Sequence, residues 1–424
     1  VFPLTDRPLV ALVYQRPGMP WMFEGARRAE VDVVLIHRPN PRPDEALPAQ
    51  LPPAVVRTVA LDIFGDEAAA LAAIEELHRE RPLAALVTAL DVAVPFTAKA
   101  ARALGLPGLS EETSFAVRDK REMRRRLDQA GLNTPAYVAL SGPEDWKLAA
   151  DLVFPVVVKP AGGFTSLGVT RVDSAEELQA TVNSVWEVCR RYLGYGGDSA
   201  QFEGLVVEEY LDGDEYCIES LSYRGQVKIH TIGYKGRPEG PFFEEKVYRA
   251  PAPLSPEVER SIVEQITGAH AALGVTDGPT HSELRLRGEQ AYLLEMGARV
   301  GASGASHHIV ESVTGADFAA DTFRIAMGRE PLGWHEPVQH VGTGAMYFVP
   351  VGGSGLITGI AGLDEAAADP RVDRIIQLLH PGNRILPYPE YSGYPGFVFS
   401  RHDSYEDAEE FHDGLDESVA IHYE

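Results

Sequence analysis

At 424 residues, 45% of them hydrophobic, the chain is too long for one ordinary core and reads as two to four packed units at roughly 100 to 200 residues each. Acidic residues outnumber basic ones 62 to 38, and the resulting formal charge of -24 repels nucleic-acid backbones and anionic membranes, so neither is an expected partner. No stretch approaches the ~18 apolar residues of a membrane helix, no signal-peptide layout opens the chain, and Cys189 and Cys217 are too few and too distant for a zinc site or disulfide framework, so a cytoplasmic protein is expected.

The run LVALVY at 9 to 14, a Gly/Pro turn, a helical stretch near 23 to 28 and the run VDVVLI at 31 to 36 spell a β-α-β unit. A helix over 66 to 79 then leads into LAALVTAL at 83 to 90, so residues 1–117 are expected to form a Rossmann-like domain. The likeness is one of pattern, because the first turn holds only Gly18 and lacks G-x-G-x-x-G. From 118 to 207 come a charged helix (DKREMRRRLDQAG), the strand FPVVVKP, the loop AGGFTSLG, the strand VTRV and a long helix opened by a capping box of Ser174 and Glu177. After that helix come LVVEEYL at 205 to 211, YCIESLSY, QVKIHTIGY, SELRLR and AYLLEM, a mostly antiparallel sheet interrupted by a helix from Ser255-Pro256 to Gly274, with the core domain taken as 208–330. Further strands and Gly/Pro turns make 331–424 an appended α+β subdomain, so the class is α/β followed by α+β.

Seven lysines serve the whole chain: Lys99, Lys120, Lys147, Lys159, Lys228, Lys235 and Lys246. Lys159 ends an apolar strand directly before a loop in which Gly162, Gly163 and Gly168 let backbone amides approach phosphate oxygens and Ser166 adds a hydroxyl. A plain connecting loop is the alternative. Gly163 to Gly168 has a P-loop outline, but Val169 stands where that motif needs lysine. In EEYLDGDE, the backbone of Glu209 to Leu211 could bond adenine and Glu215 the ribose hydroxyls, although acids in a turn are commonly just solvated.

A three-residue loop of Gly288, Glu289 and Gln290 sets Arg287 opposite Ala291 and Glu283 opposite Glu295. Facing carboxylates need a cation, and with phosphate oxygens they form the ligand set magnesium prefers; pairing of Glu283 with Arg285 or Arg287 is the alternative. Arg299 could hold a substrate carboxylate or a developing charge, or else be a surface arginine. His307 and His308 fit no zinc pattern, His281-Ser282-Glu283 lacks the P-C-x-x-C partner of a deaminase, and no G-x-S-x-G exists.

Taken in order, Lys120 in its DKxxMR segment, FPVVVKPAGG, EEYLDGDE and HSELRLRGEQAYLLEMGAR resemble the ATP-grasp superfamily. The resemblance implies an N-terminal Rossmann-like domain, a mobile lid (118–207), a catalytic core (208–330) and a C-terminal extension. It implies Lys120 and Lys159 on the ATP phosphates, Glu208, Leu211 and Glu215 at the hinge and ribose, and magnesium or manganese on Glu283 and Glu295. The usual E-x-N-x-R run reads Glu295-Met296-Gly297-Ala298-Arg299 here, without the asparagine ligand. The E-M-G-A-R-x-G ending is similar to the L-amino-acid ligase and carnosine synthase branch, which implies Glu245, Arg299 and Gly301 at the substrates, with Tyr248 where relatives often have histidine. The implied activity is ATP-dependent amide formation through an acyl phosphate, on amino acids or small peptides, by a chain that can form a homodimer. A biotin-dependent carboxylase and a nucleotide-binding regulator are the rival readings.

Overall fold

The apolar runs at the start form a parallel sheet in the computed structural model of the chain, which describes residues 6–41, 46–195, 202–237, 240–391 and 393–424. β1 (Leu9–Val13), α1 (Trp21–Arg28), β2 (Asp32–His37), β3 (Val55–Ala60), α2 (Glu67–Glu80), β4 (Leu83–Thr88) and α3 (Val94–Ala103) assemble in the strand order β3-β2-β1-β4. β1 is buried throughout because helices cover both faces, as its unbroken apolar run requires. β3 escaped the sequence reading because it lies at the sheet edge, half exposed, where VVRTVA need not be continuously apolar.

After α4 (Glu111–Ala116) and α5 (Lys120–Gln129) come β5 (Tyr137–Leu140), β6 (Val156–Pro160), β7 (Thr170–Val172), α6 (Ala175–Tyr192) and β8 (Leu205–Glu209). These strands form a four-stranded sheet, β5-β8-β6-β7, with α6 packed against it through Leu178, Val182, Val185 and Cys189. α5 does not join this unit. Its Met123 and Leu127 pack into the neighbouring core, so the unit of the four-stranded sheet begins after α5, and β8 crosses the expected 207/208 boundary. The capping box does not form either: Ser174 is the N-cap of α6, but its side chain accepts no capping bond.

β9 (Glu215–Tyr223), β10 (Gln226–Gly236), β11 (Val247–Ala250), α7 (Pro256–Leu273), β12 (Gly278–Arg287), β13 (Gln290–Gly297), α8 (Ala305–Thr314) and α9 (Phe318–Ala326) follow. The rest of the chain is β14 (Thr343–Phe348), β15 (Gly355–Ala361), α10 (Leu363–Ala367), β16 (Val372–Gln377), β17 (Arg384–Ile385), β18 (Gly396–His402), α11 (Tyr405–Ser418) and β19 (Ala420–Tyr423). The large sheet is antiparallel, in the order β13-β12-β9-β10-β11-β14-β18-β16. It crosses the expected boundary at 330, so the C-terminal segment completes the central sheet, and only β17-β15-β19 form a small sheet apart. α9 crosses back to pack Phe323 on the N-terminal sheet, closely enough that a Cβ on Gly25 of α1 would meet the Ala319 Cβ at 2.4 Å. No helix among the described residues is long and apolar enough to cross a membrane.

Candidate active site

One face of the large sheet packs on α7 through Ile218, Leu284, Leu293 and Met296; the other faces a cleft open to solvent, roofed by the four-stranded sheet and closed at one end by β4's following loop. Strand alternation distributes side chains between these two faces. A bulge in β13 alters that distribution at the decisive place. Arg287 pairs with Gln290 around a two-residue turn, not the expected three-residue loop, but the register shifts between Glu283 and Leu284, so Glu283 still faces Glu295. The bulge sends both Leu294 and Glu295 to the cleft while Leu293 and Met296 stay in the core. The expected pairing thus holds through two offsetting departures.

Lysines attend these acids. Lys120 lies 3.1 Å from Glu295 and donates to the Gly163 carbonyl at 3.2 Å. Lys235, a named lysine given no role from sequence, sits among three acids: Glu283 at 2.8 Å, Glu215 at 3.2 Å, and Glu245. Burial alone would lower its ammonium, but Glu245, Glu283 and Glu215 outweigh burial and hold it well above its usual range. His281 bridges Glu219 at 2.6 Å and Glu283 at 3.5 Å; burial opposes its charge, but Glu219 prevails and the imidazole rises to about 9. The alternative pairing of Glu283 is not seen, since Arg285 holds Glu215 and Arg287 holds Glu209.

Lys159 donates to Glu208 at 2.7 Å, and Arg124 grips the same carboxylate with Nε at 2.7 Å and Nη2 at 3.2 Å. Burial pushes Glu208 up, yet the two cations win and leave it at about 2. Burial lowers the Lys159 ammonium, and one carboxylate shared with Arg124 does not restore it. Lys159 and Lys120 both reach the cleft, where their ammonium groups suit a polyphosphate. Glu208 therefore works through this buried ion pair. At the expected hinge, the Glu209 amide already bonds the Ala136 carbonyl and the Leu211 carbonyl accepts from Arg285, so fewer backbone groups remain for a base than the sequence suggested.

The glycine loop is only partly as expected. Gly163 and Ser166 line the cleft with Phe164 and Thr165, and both Thr165 (φ 49°) and Ser166 (φ 55°) take the left-handed conformation, which is costly for a β-branched residue and typical of ligand clamps. Gly162 and Gly168 do not line it. A Cβ on Gly162 would meet the Phe202 Cβ at 2.4 Å, and Gly168 sits at φ 73°, so both serve the loop's shape. Gly301 also leaves the cleft wall; a Cβ there would stand 2.6 Å from His281 Nδ1 and from Ser306 Oγ.

Arg299 reaches the cleft, held by Asp91 from the loop after β4, with Nε–Oδ2 at 2.8 Å and Nη2–Oδ2 at 2.7 Å. Asp91 was not picked out from sequence. Its signal was its place just past the carboxyl end of a parallel strand, where open α/β sheets set their ligand-binding loops. The oxygens of Glu215, Glu245 and Glu283 lie within 4.8 Å of one another, a carboxylate group of the type that magnesium or manganese takes, but Lys235 already bonds all three, and Glu295 pairs instead with Lys120.

Comparison with known proteins agrees with this geometry. A model of the ATP-grasp domain matches residues 152–308, one of the ATP-grasp N-terminal domain matches 23–108, and one of the L-amino acid ligase C-terminal domain 2 matches 347–424. The crystal structure of an L-amino acid ligase from Bacillus licheniformis is similar over 99% of this chain and 100% of that one, with a TM-score of 0.86 and 39% identity. A D-alanine–D-alanine ligase from Aromatoleum aromaticum is 31% identical over 49% of this chain and 64% of its own length. An alanine–anticapsin ligase from Bacillus subtilis is 27% identical over 51% of this chain and 48% of its own. The chain thus spans less than two thirds of the length of these two curated relatives.

Proposed function

This chain belongs to the L-amino acid ligase family of the ATP-grasp superfamily, and from that premise we propose that it joins the carboxylate of one amino acid to the amine of another, consuming ATP and forming ADP. The observation that carries the reading is the pairing of Glu283 with Glu295 beneath Lys120 and Lys159, with Arg299 beside them in one cleft.

ATP would lie between the two sheets, its ribose near Glu215 and its phosphates on Lys120, Lys159 and the loop at 163 to 166. Magnesium or manganese, held by Glu283 and Glu295 with Glu215 and Glu245 adjacent, would neutralise phosphate charge. A carboxylate oxygen of the first amino acid attacks the γ-phosphorus, the bond to the β,γ-bridging oxygen breaks, and ADP departs with that electron pair. The product is an acyl phosphate. The second amino acid's neutral amine attacks the acyl carbon, Arg299 steadies the oxyanion, and the carbon–oxygen bond breaks to release inorganic phosphate. The amine's proton leaves with the departing phosphate. Loop and lid together exclude water that would hydrolyse the intermediate.

Lys159→Ala and Glu295→Gln are each expected to abolish coupling while circular dichroism stays native. Chromatography of the spent nucleotide with wild type should give ADP; stoichiometric AMP, or normal turnover in either folded variant, contradicts the reading.

A further inference from the structure

Consecutive carbonyls at the base of the glycine loop point at the short segment that opens α5. The Lys120 amide donates to the Ala161 carbonyl at 2.9 Å, Arg118 Nη2 to that of Gly162 at 2.7 Å, and the Lys120 ammonium to that of Gly163 at 3.2 Å. α5 is packed into the core of the large sheet, whereas the loop follows β6 of the four-stranded sheet, so these bonds join two separately built sheets. The Lys120 ammonium also lines the cleft, where a polyphosphate would draw it away; Arg118 is buried and lines no part of the cleft.

Arg118 has donors to spare. Among the described residues its Nε and Nη1 have no hydrogen-bond partner, and neither has Asp91 Oδ1, yet Nη1 and that oxygen stand 4.0 Å apart. Buried polar atoms are rarely left so, because an unmade bond carries the full desolvation penalty of the group. A movement of about 1 Å would bring this pair to the length of a charge-assisted hydrogen bond. Arg299 makes both of its bonds to Asp91 through Oδ2, which leaves Oδ1 on the side of Arg118. Burial pushes the Asp91 carboxyl up, but Arg299 and then Arg118 outweigh it and hold it below its usual range. The Phe202 ring lies 5.9 Å from the Arg118 guanidinium and limits where it can swing. Contacts thus run from the Gly162 carbonyl through Arg118 and Asp91 to Arg299.

We propose that Arg118 is a positioning residue that couples the glycine loop to Arg299: ordering of the loop carries Arg118 onto Asp91 Oδ1, and the completed chain sets the Arg299 guanidinium for the acyl carbon. The inference rests on the ligase reading and adds to it a residue that touches neither substrate.

Two measurements on the full chain test it. The first is steady-state kinetics with ATP, magnesium and the amino-acid pair that releases phosphate fastest among the twenty. Arg118→Met should lower kcat about tenfold with KM for both amino acids unchanged, whereas a merely distorted cleft would raise those KM values. Asp91→Asn should lower kcat as well, and the double variant should fall no further than about the worse single one, because both substitutions break the same chain. The second is hydrogen exchange over 161 to 164 in Asp91→Asn, which keeps Arg118 and lies outside the loop. Coupling is reciprocal, so the slowing produced by magnesium and a non-hydrolysable ATP analogue should be about threefold smaller than in wild type. Losses of kcat that multiply in the double variant, raised amino-acid KM values in Arg118→Met, or wild-type slowing in Asp91→Asn overturn the coupling and leave the ligase reading standing. No phosphate release from any pair overturns the ligase reading, and the role given to Arg118 with it. If Arg118→Met does not fold, the exchange measurement decides alone.

Discussion

A methyl group on residue 297 would stand 2.9 Å from Asp91 Oδ1 and 3.2 Å from the Arg299 Cζ. The glycine in E-M-G-A-R is therefore tied to the ion pair that aims Arg299, and the Asp91–Arg299 pair fills the space into which a side chain at 297 would point. Because the obstructing atoms are side-chain ends, Gly297→Ala should displace the guanidinium rather than unfold the chain. A fall in kcat of about 100-fold with Tm nearly unchanged is expected. Full activity in the variant would show that Arg299 needs no such placement. Glu208 has a different kind of role. Its folded carboxyl at about 2, against an ordinary 4.5, means that its pairing stabilises the fold above about pH 4.5 and that this contribution is lost as pH falls toward 2. Urea unfolding of Glu208→Gln across that window should show a flatter acid slope than wild type, and an identical slope would remove Glu208 from the account.

At the scale of elements, two irregularities position the chemistry. The bulge in β13 turns Glu295 toward the cleft, and the left-handed pair Thr165 and Ser166 shapes the loop above it. Runs of apolar residues, lysines at strand ends and the order of the acidic segments could all be read from the sequence, because each depends on local patterning. A bulge has no such local mark. The three-residue loop supposed for the hairpin still gave the true pairing of Glu283 and Glu295, because the tighter turn and the bulge differ from it by one residue each in opposite senses. Lys235 and Asp91 were not recognised because their partners lie on distant strands: Glu283 is across the sheet, and Arg299 is in another segment. The loop that carries Thr165 and Ser166 is strained. Ordering should favour it once phosphate oxygens supply partners, so hydrogen exchange with magnesium and a non-hydrolysable ATP analogue should slow over 161 to 168, with a smaller change over 208 to 211. Unchanged exchange at saturating nucleotide would make the loop a connector only.

On the scale of the whole molecule, a body of net charge -24 gathers Lys120, Lys159, Lys235 and Arg299 into one cleft. Three segments of the chain build that cleft. The N-terminal sheet supplies Asp91, the four-stranded sheet supplies Lys159 and Glu208, and the large sheet supplies the remaining carboxylates. β14 and β18 extend that sheet, so the C-terminal segment forms part of the cleft wall through Phe348 and Phe397. Such a cleft can hold nucleotide, carboxylate and amine together, which a two-step transfer through an acyl phosphate requires. The most direct test follows the oxygen atoms. With the carboxylate substrate labelled in both oxygens with oxygen-18, mass spectrometry of the inorganic phosphate should find one labelled oxygen per amide formed, because the attacking oxygen leaves with phosphorus. Unlabelled phosphate alongside amide product would contradict an acyl phosphate and with it the central claim.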